Sequence, residues 1–353
     1  MFHYAAYLGF LFMKTTLCYV FTANSLTLAE FEISIHSFAE HNHFNTDVVV
    51  YTDHPELVKY RTRRMSHPNL NFIIKGLIHF DGFLEDISTN KSCVDYSATM
   101  IDRDHAENSI THLEYLEIVS SKMLGILDCI KKYDIVISQD IDTVYYNTIS
   151  DIVTSVAKSK YALCGMFNTT KSSRKENTKI PSADIGCMIF NSNNLPDNLE
   201  ERFYEFLKDY DSGEFNNFDE LFVGSISTEF PSLFFPELNF CSTGWSDNFV
   251  DKKFRCLHMH NSLISRKHAD NNYFRANATN MIFFPDYLCF ADKYKVKTEG
   301  ITFSAWVMKE IKKSLKHDKI DIETYFNRVI DESIKTTELF KERLEWWKIM
   351  AYV

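Results

Sequence analysis

Glycine and proline are scarce, at 10 and 7 of 353 residues. That leaves no collagen-like period, no glycine-rich linker and no glycine-rich phosphate loop. No GxGxxG follows the first strand-like run, which disfavours a dinucleotide-binding dehydrogenase. No GxxxxGK[ST] exists, which excludes a P-loop enzyme, and the GxSxG elbow of serine hydrolases is missing too. None of the eight cysteines, at 18, 93, 129, 164, 187, 241, 256 and 289, forms a CxxC pair. Several lie in apolar runs such as Cys187-Met188-Ile189-Phe190, the pattern of a reduced, buried, cytosolic core rather than of a zinc ribbon or a disulfide framework. Positive charge is in deficit, with 48 acidic against 38 basic residues and a formal charge of -10. A protein built to grip a nucleic-acid backbone is usually basic, so that role is disfavoured. Long apolar runs are absent. Residues 2–12 make about half of a membrane-spanning length, so no transmembrane segment is expected. The first lysine, Lys14, follows this stretch, the reverse of a secretory signal. Residues 1–12 therefore read as an extension, with a weak membrane-surface anchor as the alternative.

What is present is a large core and an alternating pattern. Apolar residues make up 45% of the chain and phenylalanine alone numbers 30, enough for one large domain or two ordinary ones. Leu17 to Thr22 and Asp47 to Thr52 read as buried strands. Between them, residues 26–42 carry Leu28, Phe31, Ile35 and Phe38 at helical spacing. Strand, helix, strand over so short a span is a βαβ unit, which predicts an α/β fold with a parallel sheet and helices on its faces. Residues 71–78 hold a further apolar run, and residues 111–132 form a long helical pattern. Asp134 to Ser138 is a third strand, and Tyr161 to Phe167 and Cys187 to Phe190 are further strands. Residues 169–181 are polar and basic without apolar period, a loop of lid-like length or an ordinary surface loop. Residues 303–316 and 321–350 read as helices that pack on the core, pair with a second copy or touch another partner.

The strand Asp134 to Ser138 runs into Gln139-Asp140-Ile141-Asp142. Strand side chains alternate, so Asp140 and Asp142 are expected on one side, at the carboxyl edge where open α/β sheets place their ligands. Paired carboxylates suit a hard divalent cation, Mg²⁺ or Mn²⁺, which can hold a diphosphate and neutralise it as it leaves. The same spacing recurs at Asp102/Asp104 and Asp209/Asp211, but only the copy at 140 follows an apolar strand and leads into another patterned segment.

At this point the chain resembles a family, the GT-A-fold glycosyltransferases, in particular the glycosyltransferase family 8-like group that includes glycogenin and lipopolysaccharide galactosyltransferases. The resemblance runs over about residues 15–290 in order and spacing. Its elements are Phe21-Thr22-Ala23-Asn24-Ser25 after the first strand, a helical lysine matched by Lys122, the DxD segment, and Ala183-Asp184-Ile185-Gly186-Cys187-Met188-Ile189-Phe190-Asn191. Asp184 stands where the family usually has Asn, and Glu220 in Asn217-Phe218-Asp219-Glu220 replaces its Gln. Pro236-Glu237-Leu238-Asn239 matches a further element, and a final ligand is expected from Phe254-Arg255-Cys256-Leu257-His258-Met259-His260-Asn261, where His258 and His260 compete. The family's Lys-Pro-Trp is absent, and Arg266, Lys267 and His268 are the nearby substitutes.

The resemblance implies a Rossmann-like mixed, mostly parallel sheet flanked by helices over residues 13–300, with a helical C-terminal extension at 301–353. It implies a metal-dependent, retaining transfer of a sugar from a nucleotide diphosphate sugar, a UDP-sugar in particular, to an acceptor hydroxyl such as that of a glycan. Mn²⁺ or Mg²⁺ would be held by Asp140, Asp142 and His258 or His260. Phe21, Thr22, Ala23, Asn24, Lys122, Asp140, Ile141, Asp142, Gly186 and Lys267 would bind the donor, Gly186 by letting the backbone approach the sugar. Asp184, Asp219 and Glu220 would be the catalytic acids, meeting sugar hydroxyls or the acceptor. Two alternatives stand beside this: a non-catalytic binding or assembly protein of the same fold using its C-terminal helices, and a glycosyltransferase acting on modified nucleic-acid bases through Arg61-Thr62-Arg63-Arg64 and the loop 171–179. A cytoplasmic location, soluble or at a membrane surface, and a homo-oligomer through the C-terminal helices complete the expectations.

Overall fold

Residues 15–20 (TTLCYV) are β-branched, aromatic and apolar and are buried almost throughout, the signature of a strand covered on both faces. They form β1 (Thr15–Val20) of a computed structural model that describes residues 13–78, 112–167, 183–208, 218–234, 241–243, 255–259, 264–268, 271–274, 278–330 and 335–352. The chain continues through α1 (Ser25–His41), β2 (Thr46–Thr52), α2 (Pro55–Thr62), β3 (Leu70–Gly76) and α3 (His112–Ile130). Next come β4 (Ile135–Gln139), β5 (Thr143–Tyr145), α4 (Ser150–Ala157), β6 (Leu163–Phe167), β7 (Ala183–Asn191), α5 (Leu199–Lys208) and α6 (Phe218–Glu229). Short strands follow: β8 (Ser232–Phe234), β9 (Cys241–Thr243), β10 (Cys256–His258), β11 (Ile264–His268) and β12 (Asn271–Phe274). The last part holds α7 (Ala278–Lys293), β13 (Lys297–Thr298), β14 (Ile301–Thr302), α8 (Phe303–Asp318), α9 (Ile322–Val329) and α10 (Glu338–Tyr352).

Seven strands form the central sheet in the order β3-β2-β1-β4-β7-β6-β8. β1 to β4 are mutually parallel, β7 runs antiparallel to both β4 and β6, and β8 is parallel to β6. The sheet is mixed and mostly parallel with helices on both faces, the architecture expected. On one face α3 lays Met123, Leu124 and Leu127 against the sheet together with residues of α5 and α6. On the other, α1 contributes Leu28, Phe31, Ile35 and Phe38, and α4 contributes Ile152, Val153 and Val156.

The second face of α1 is also covered. Ala29 and Ile33 share a core with Met281, Phe284, Trp306, Phe326 and Trp347 of the C-terminal helices, and with Val144 and Leu257. The Trp347 indole donates to the Met281 carbonyl at 2.7 Å. Helices α8 to α10 thus put their largest apolar side chains into the protein body. Of the cysteines, Cys18, Cys129, Cys164, Cys187 and Cys256 are buried and free, while Cys289 is exposed. It sits on α7 beyond the stripe that Tyr287 and Leu288 bury.

Covering α1 twice buries polar side chains. His36 is one: its Nδ1 lies 2.8 Å from His67 Nε2, and its ring stacks on Tyr294 at 4.1 Å between centroids. Burial, with the neighbouring His67 adding to it, lowers the His36 pKa to about 4. On acidification the unfolded chain takes up this proton near pH 6.5, while the folded chain resists until about pH 4. His36 therefore contributes stability at neutral pH that is lost as the pH falls through that window. Between pH 7 and pH 5 the wild type should lose about 2 kcal/mol more than His36→Gln in urea unfolding. Parallel losses in the two proteins would refute a buried neutral His36.

Candidate functional site

β1 and β4 are adjacent and parallel, yet the chain leaves β1 toward β2 and β3 on one side and builds β7 and β6 on the other. The loops after the two strands diverge there, which opens the crevice where doubly wound sheets hold ligands. Residues 21–24 and 140–142 are those two loops.

Asp140 and Asp142 do converge, though not by strand alternation. β4 ends at Gln139, and the two acids lie in a tight turn closed by Thr143 N donating to Asp140 O at 3.1 Å. Asp140 N also donates to Gly186 O at 2.8 Å, tying the turn to β7. After the turn β5 pairs antiparallel with β10, in a register that sets Thr143 opposite His258. Met259 N donates to Asp142 O at 3.1 Å and extends that pairing. The ladder delivers the imidazole to the carboxylates: His258 Nε2 lies 3.3 Å from Asp140 Oδ2 and 3.2 Å from Asp142 Oδ1.

The other ring nitrogen of His258, Nδ1, lies 3.2 Å from Asp184 Oδ1 and 3.3 Å from Asp184 Oδ2. Asp184 Oδ1 also accepts from Gly186 N at 2.8 Å. The imidazole itself rests on Gly186. A Cβ at that position would stand 2.1 Å from His258 Cε1 and 2.3 Å from Nδ1.

Lys122, on α3, places Nζ 2.6 Å from Asp140 Oδ1. Burial works against its charge, but Asp140, Asp219 and Asp184 outweigh this and raise its pKa well above the usual lysine range. Burial likewise opposes ionisation of Asp140, and Lys122 with His258 overcomes it, so this carboxyl stays well below the usual carboxylate range. For His258, burial is outweighed by Asp184, Asp142 and Asp140, and the pKa is raised. Asp219 and Glu220 are buried in the first turn of α6, where Glu220 N donates to Asp219 Oδ1 at 2.9 Å. Burial pushes Asp219 up to about 6, with Lys122 opposing and Glu220 adding.

The donor set fits a divalent cation. Asp140, Asp142 and His258 each offer one ligand atom, all within 4.8 Å of one another. Neighbouring ligands on an octahedral ion with bonds of about 2.1 Å stand about 3 Å apart, close to the spacings from Nε2 to the two carboxylates. The surrounding charge agrees, since Asp184, Asp219 and Glu220 add three more acids around Lys122, the permanent cation beside the cluster among the described residues. This is the only cluster of three potential metal-ligating residues among the described residues.

The remaining sequence candidates fall as follows. The Phe21 ring is buried against Phe31 at 5.2 Å, so what it can offer a ligand is backbone. Thr22 O accepts from the Thr27 hydroxyl at 2.7 Å. Asn24 is the N-cap of α1, its side chain accepting from Leu26 N and Thr27 N while Thr27 reciprocates. Ala23 N donates to Asp53 Oδ1 at 2.7 Å. Asp53 is missing from the sequence candidates; its signal is an acid directly after the second strand, where βαβ nucleotide sites place one. Ile141 packs partly into the core. Lys267 is a β11 residue whose side chain is outside the described residues. His260, Asn217, Pro236-Glu237-Leu238-Asn239, Asn261, the loop 169–181, Asp102/Asp104, Asp209/Asp211 and residues 1–12 also lie outside them. Arg61 pairs with Glu32 at 2.9 Å and donates to Lys297 O at 2.9 Å, and Arg64 stacks on Tyr60. Among the described residues no helix is long and apolar enough to cross a membrane.

No family model matches the sequence. No curated protein matches it either. The solved structures to which the chain is similar include two glycosyltransferases. Mouse xyloside xylosyltransferase 1, in its apo form, aligns with 14% identity and a TM-score of 0.45 over 70% of this chain and 97% of its own. The WbbM bifunctional glycosyltransferase, also apo, aligns with 13% identity and a TM-score of 0.46 over 86% of this chain. This chain spans about half of that protein, 52%.

Proposed function

We propose that this chain is a metal-dependent glycosyltransferase of the GT-A fold, similar to glycosyltransferase family 8, that moves a sugar with retention from a UDP-sugar to a glycan hydroxyl. The observation that carries the reading is one assembly. Asp140, Asp142 and His258 converge beside Lys122 in the crevice between β1 and β4. Open α/β sheets bind nucleotides at this edge, and a carboxylate-rich set with one imidazole suits Mn²⁺ or Mg²⁺.

The chain's own residues divide the work. Asp140, Asp142 and His258 would hold the ion. When bound, such an ion supplies Lewis-acid stabilisation of the departing diphosphate. Lys122 brings a half-buried ammonium beside Asp140, where it would add fixed positive charge for the phosphates. The loop 21–24 and Asp53 border the crevice from the β1 side and would hold the base and ribose. Asp219 and Glu220 would accept hydrogen bonds from sugar hydroxyls or face the acceptor. Lys267, a β11 residue, is the further candidate for binding the donor. The five buried free thiols support the cytoplasmic setting.

The test is incubation of the purified chain with UDP-sugars and Mn²⁺, reading released UDP and the anomer formed by NMR. UDP release that stops in excess chelator and an α-linked product support the reading. Release that persists in chelator overturns the metal role, and an inverted product overturns retention. Nucleotide binding without release from any donor points instead to a non-catalytic binding protein.

A further inference from the structure

We infer that Asp184 is a positioning residue for the metal-ligating histidine, and that it acts from behind the ring rather than on the sugar donor. The inference rests on the metal-dependent reading above and assigns Asp184 a different part in it from the one the resemblance implies.

His258 has two ring nitrogens and they face different partners. Nε2 faces Asp140 and Asp142, and Nδ1 faces both oxygens of Asp184, at 3.2 and 3.3 Å. A ligating imidazole must present a lone pair to the ion, and the partner of the other nitrogen decides which nitrogen that is. An ionised carboxylate only accepts, so Asp184 can pair only with a protonated Nδ1. That leaves Nε2 as the ligating atom on the side of Asp140 and Asp142. Asn at this position, the residue the resemblance leads one to expect, could instead donate to a sugar hydroxyl through its amide, which Asp cannot do.

Strand β7 grips the ring at two points. Asp184 and Gly186 are two residues apart and share one side of the strand. Gly186 supplies the flat surface under the imidazole, and its N–H fixes the Asp184 carboxylate at 2.8 Å. Asp184 is 3% exposed and His258 4%, so the pair is sealed from solvent.

The test compares Mn²⁺ binding, followed by the EPR signal of free Mn²⁺ without nucleotide, in wild type, Asp184→Ala, Asp184→Asn and Asp140→Asn. Outer partners of metal-bound histidines typically matter about 10- to 100-fold, so Asp184→Ala should weaken Mn²⁺ by that factor. Asp184→Asn can still accept from Nδ1 without the charge, and should lose affinity by a smaller factor. At saturating Mn²⁺ the KM for the donor should move less than about twofold in Asp184→Asn, since uniform donor binding is untouched. With diamagnetic Mg²⁺ in place of Mn²⁺, ring-nitrogen shifts of His258 in ¹⁵N-labelled protein should report a protonated Nδ1 and an unprotonated Nε2 in wild type, and a mixture of the two tautomers in Asp184→Ala. If Asp184→Ala does not fold, Asp184→Asn carries the same comparison. Unchanged Mn²⁺ affinity in a variant whose donor KM rises would overturn the inference and return Asp184 to the sugar. Wild type that binds Mn²⁺ no better than Asp140→Asn would overturn the metal reading itself, and the inference with it.

Discussion

Asp140→Asn is expected to reduce metal-dependent turnover by at least about a thousandfold, because a bound divalent ion contributes several kcal/mol to stabilising a developing negative charge. Asn is the informative substitution. It keeps the shape of the turn and an oxygen for Lys122, whose ammonium sits 2.6 Å from Asp140 Oδ1. Alanine would strip a half-buried lysine of its nearest partner, at a cost below the about 3–5 kcal/mol of breaking a fully buried pair from one side. In Asp140→Asn that cost is reduced, because Asp219 and Asp184 also act on Lys122. The variant should therefore stay folded, with a thermal midpoint within several degrees of wild type, while EPR-detected Mn²⁺ binding collapses. Asp142→Asn should behave alike. Folded Asp140→Asn with wild-type turnover would remove the ion from the chemistry. A variant that simply unfolds would mark Asp140 as a structural cap of the β4–β5 turn.

The parts of the fold legible in the sequence are those whose cause is local. β1, β2 and β4 read as strands because a parallel sheet covered on both faces turns each strand into an unbroken apolar run. By its apolar pattern β7 is legible only from Cys187 onward, and its first half is legible through the resemblance alone. Its first residues include Asp184 and Gly186, which break the apolar pattern because they serve His258 rather than the core. Helix α1 shows the same limit from the other side. Leu28, Phe31, Ile35 and Phe38 announce one buried face, but Glu32 and His36 on its other side are buried too. Their partners, Arg61, His67 and Tyr294, come from distant segments. No local period can report a helix that is covered twice.

The candidate site divides along the same line. The DxD was visible from its context after an apolar strand, but its carboxylates meet through a hydrogen-bonded turn, a geometry that period-two reasoning does not contain. Between two histidines two residues apart, no rule of spacing could choose. What brings His258 to the acids is the β5–β10 register that sets it opposite Thr143, a pairing across more than a hundred residues. Asn24 reads from the resemblance as a donor contact; in the structure its oxygen also caps α1, a role that the Thr three residues on signals by completing a capping box.

Among the described glycines, Gly186→Ala should be the most damaging added methyl group. The new Cβ would lie 2.1, 2.3 and 2.8 Å from Cε1, Nδ1 and Nε2 of His258, far inside any tolerated contact. The obstacle is not the end of a flexible chain but a ring held by β10 at its backbone and by Asp184 at Nδ1. Either the ring must swing off β7, or β7 must move. The second route disturbs the acids as well, since Gly186 O accepts from Asp140 N at 2.8 Å and from the Thr143 hydroxyl at 3.1 Å. Both routes displace a ligand. Overpacking of this kind costs about 1–3 kcal/mol in stability. Loss of a positioned ligand should weaken Mn²⁺ by about a hundredfold or more, at or beyond the upper end of what removing an outer partner does. A double-mutant cycle isolates the cause. In a His258→Ala background the space above Gly186 is empty, so adding Gly186→Ala should cost little further stability and no further metal affinity. If Gly186→Ala instead keeps wild-type Mn²⁺ affinity and loses only donor binding, the glycine serves the approach of the sugar and not the seat of the imidazole.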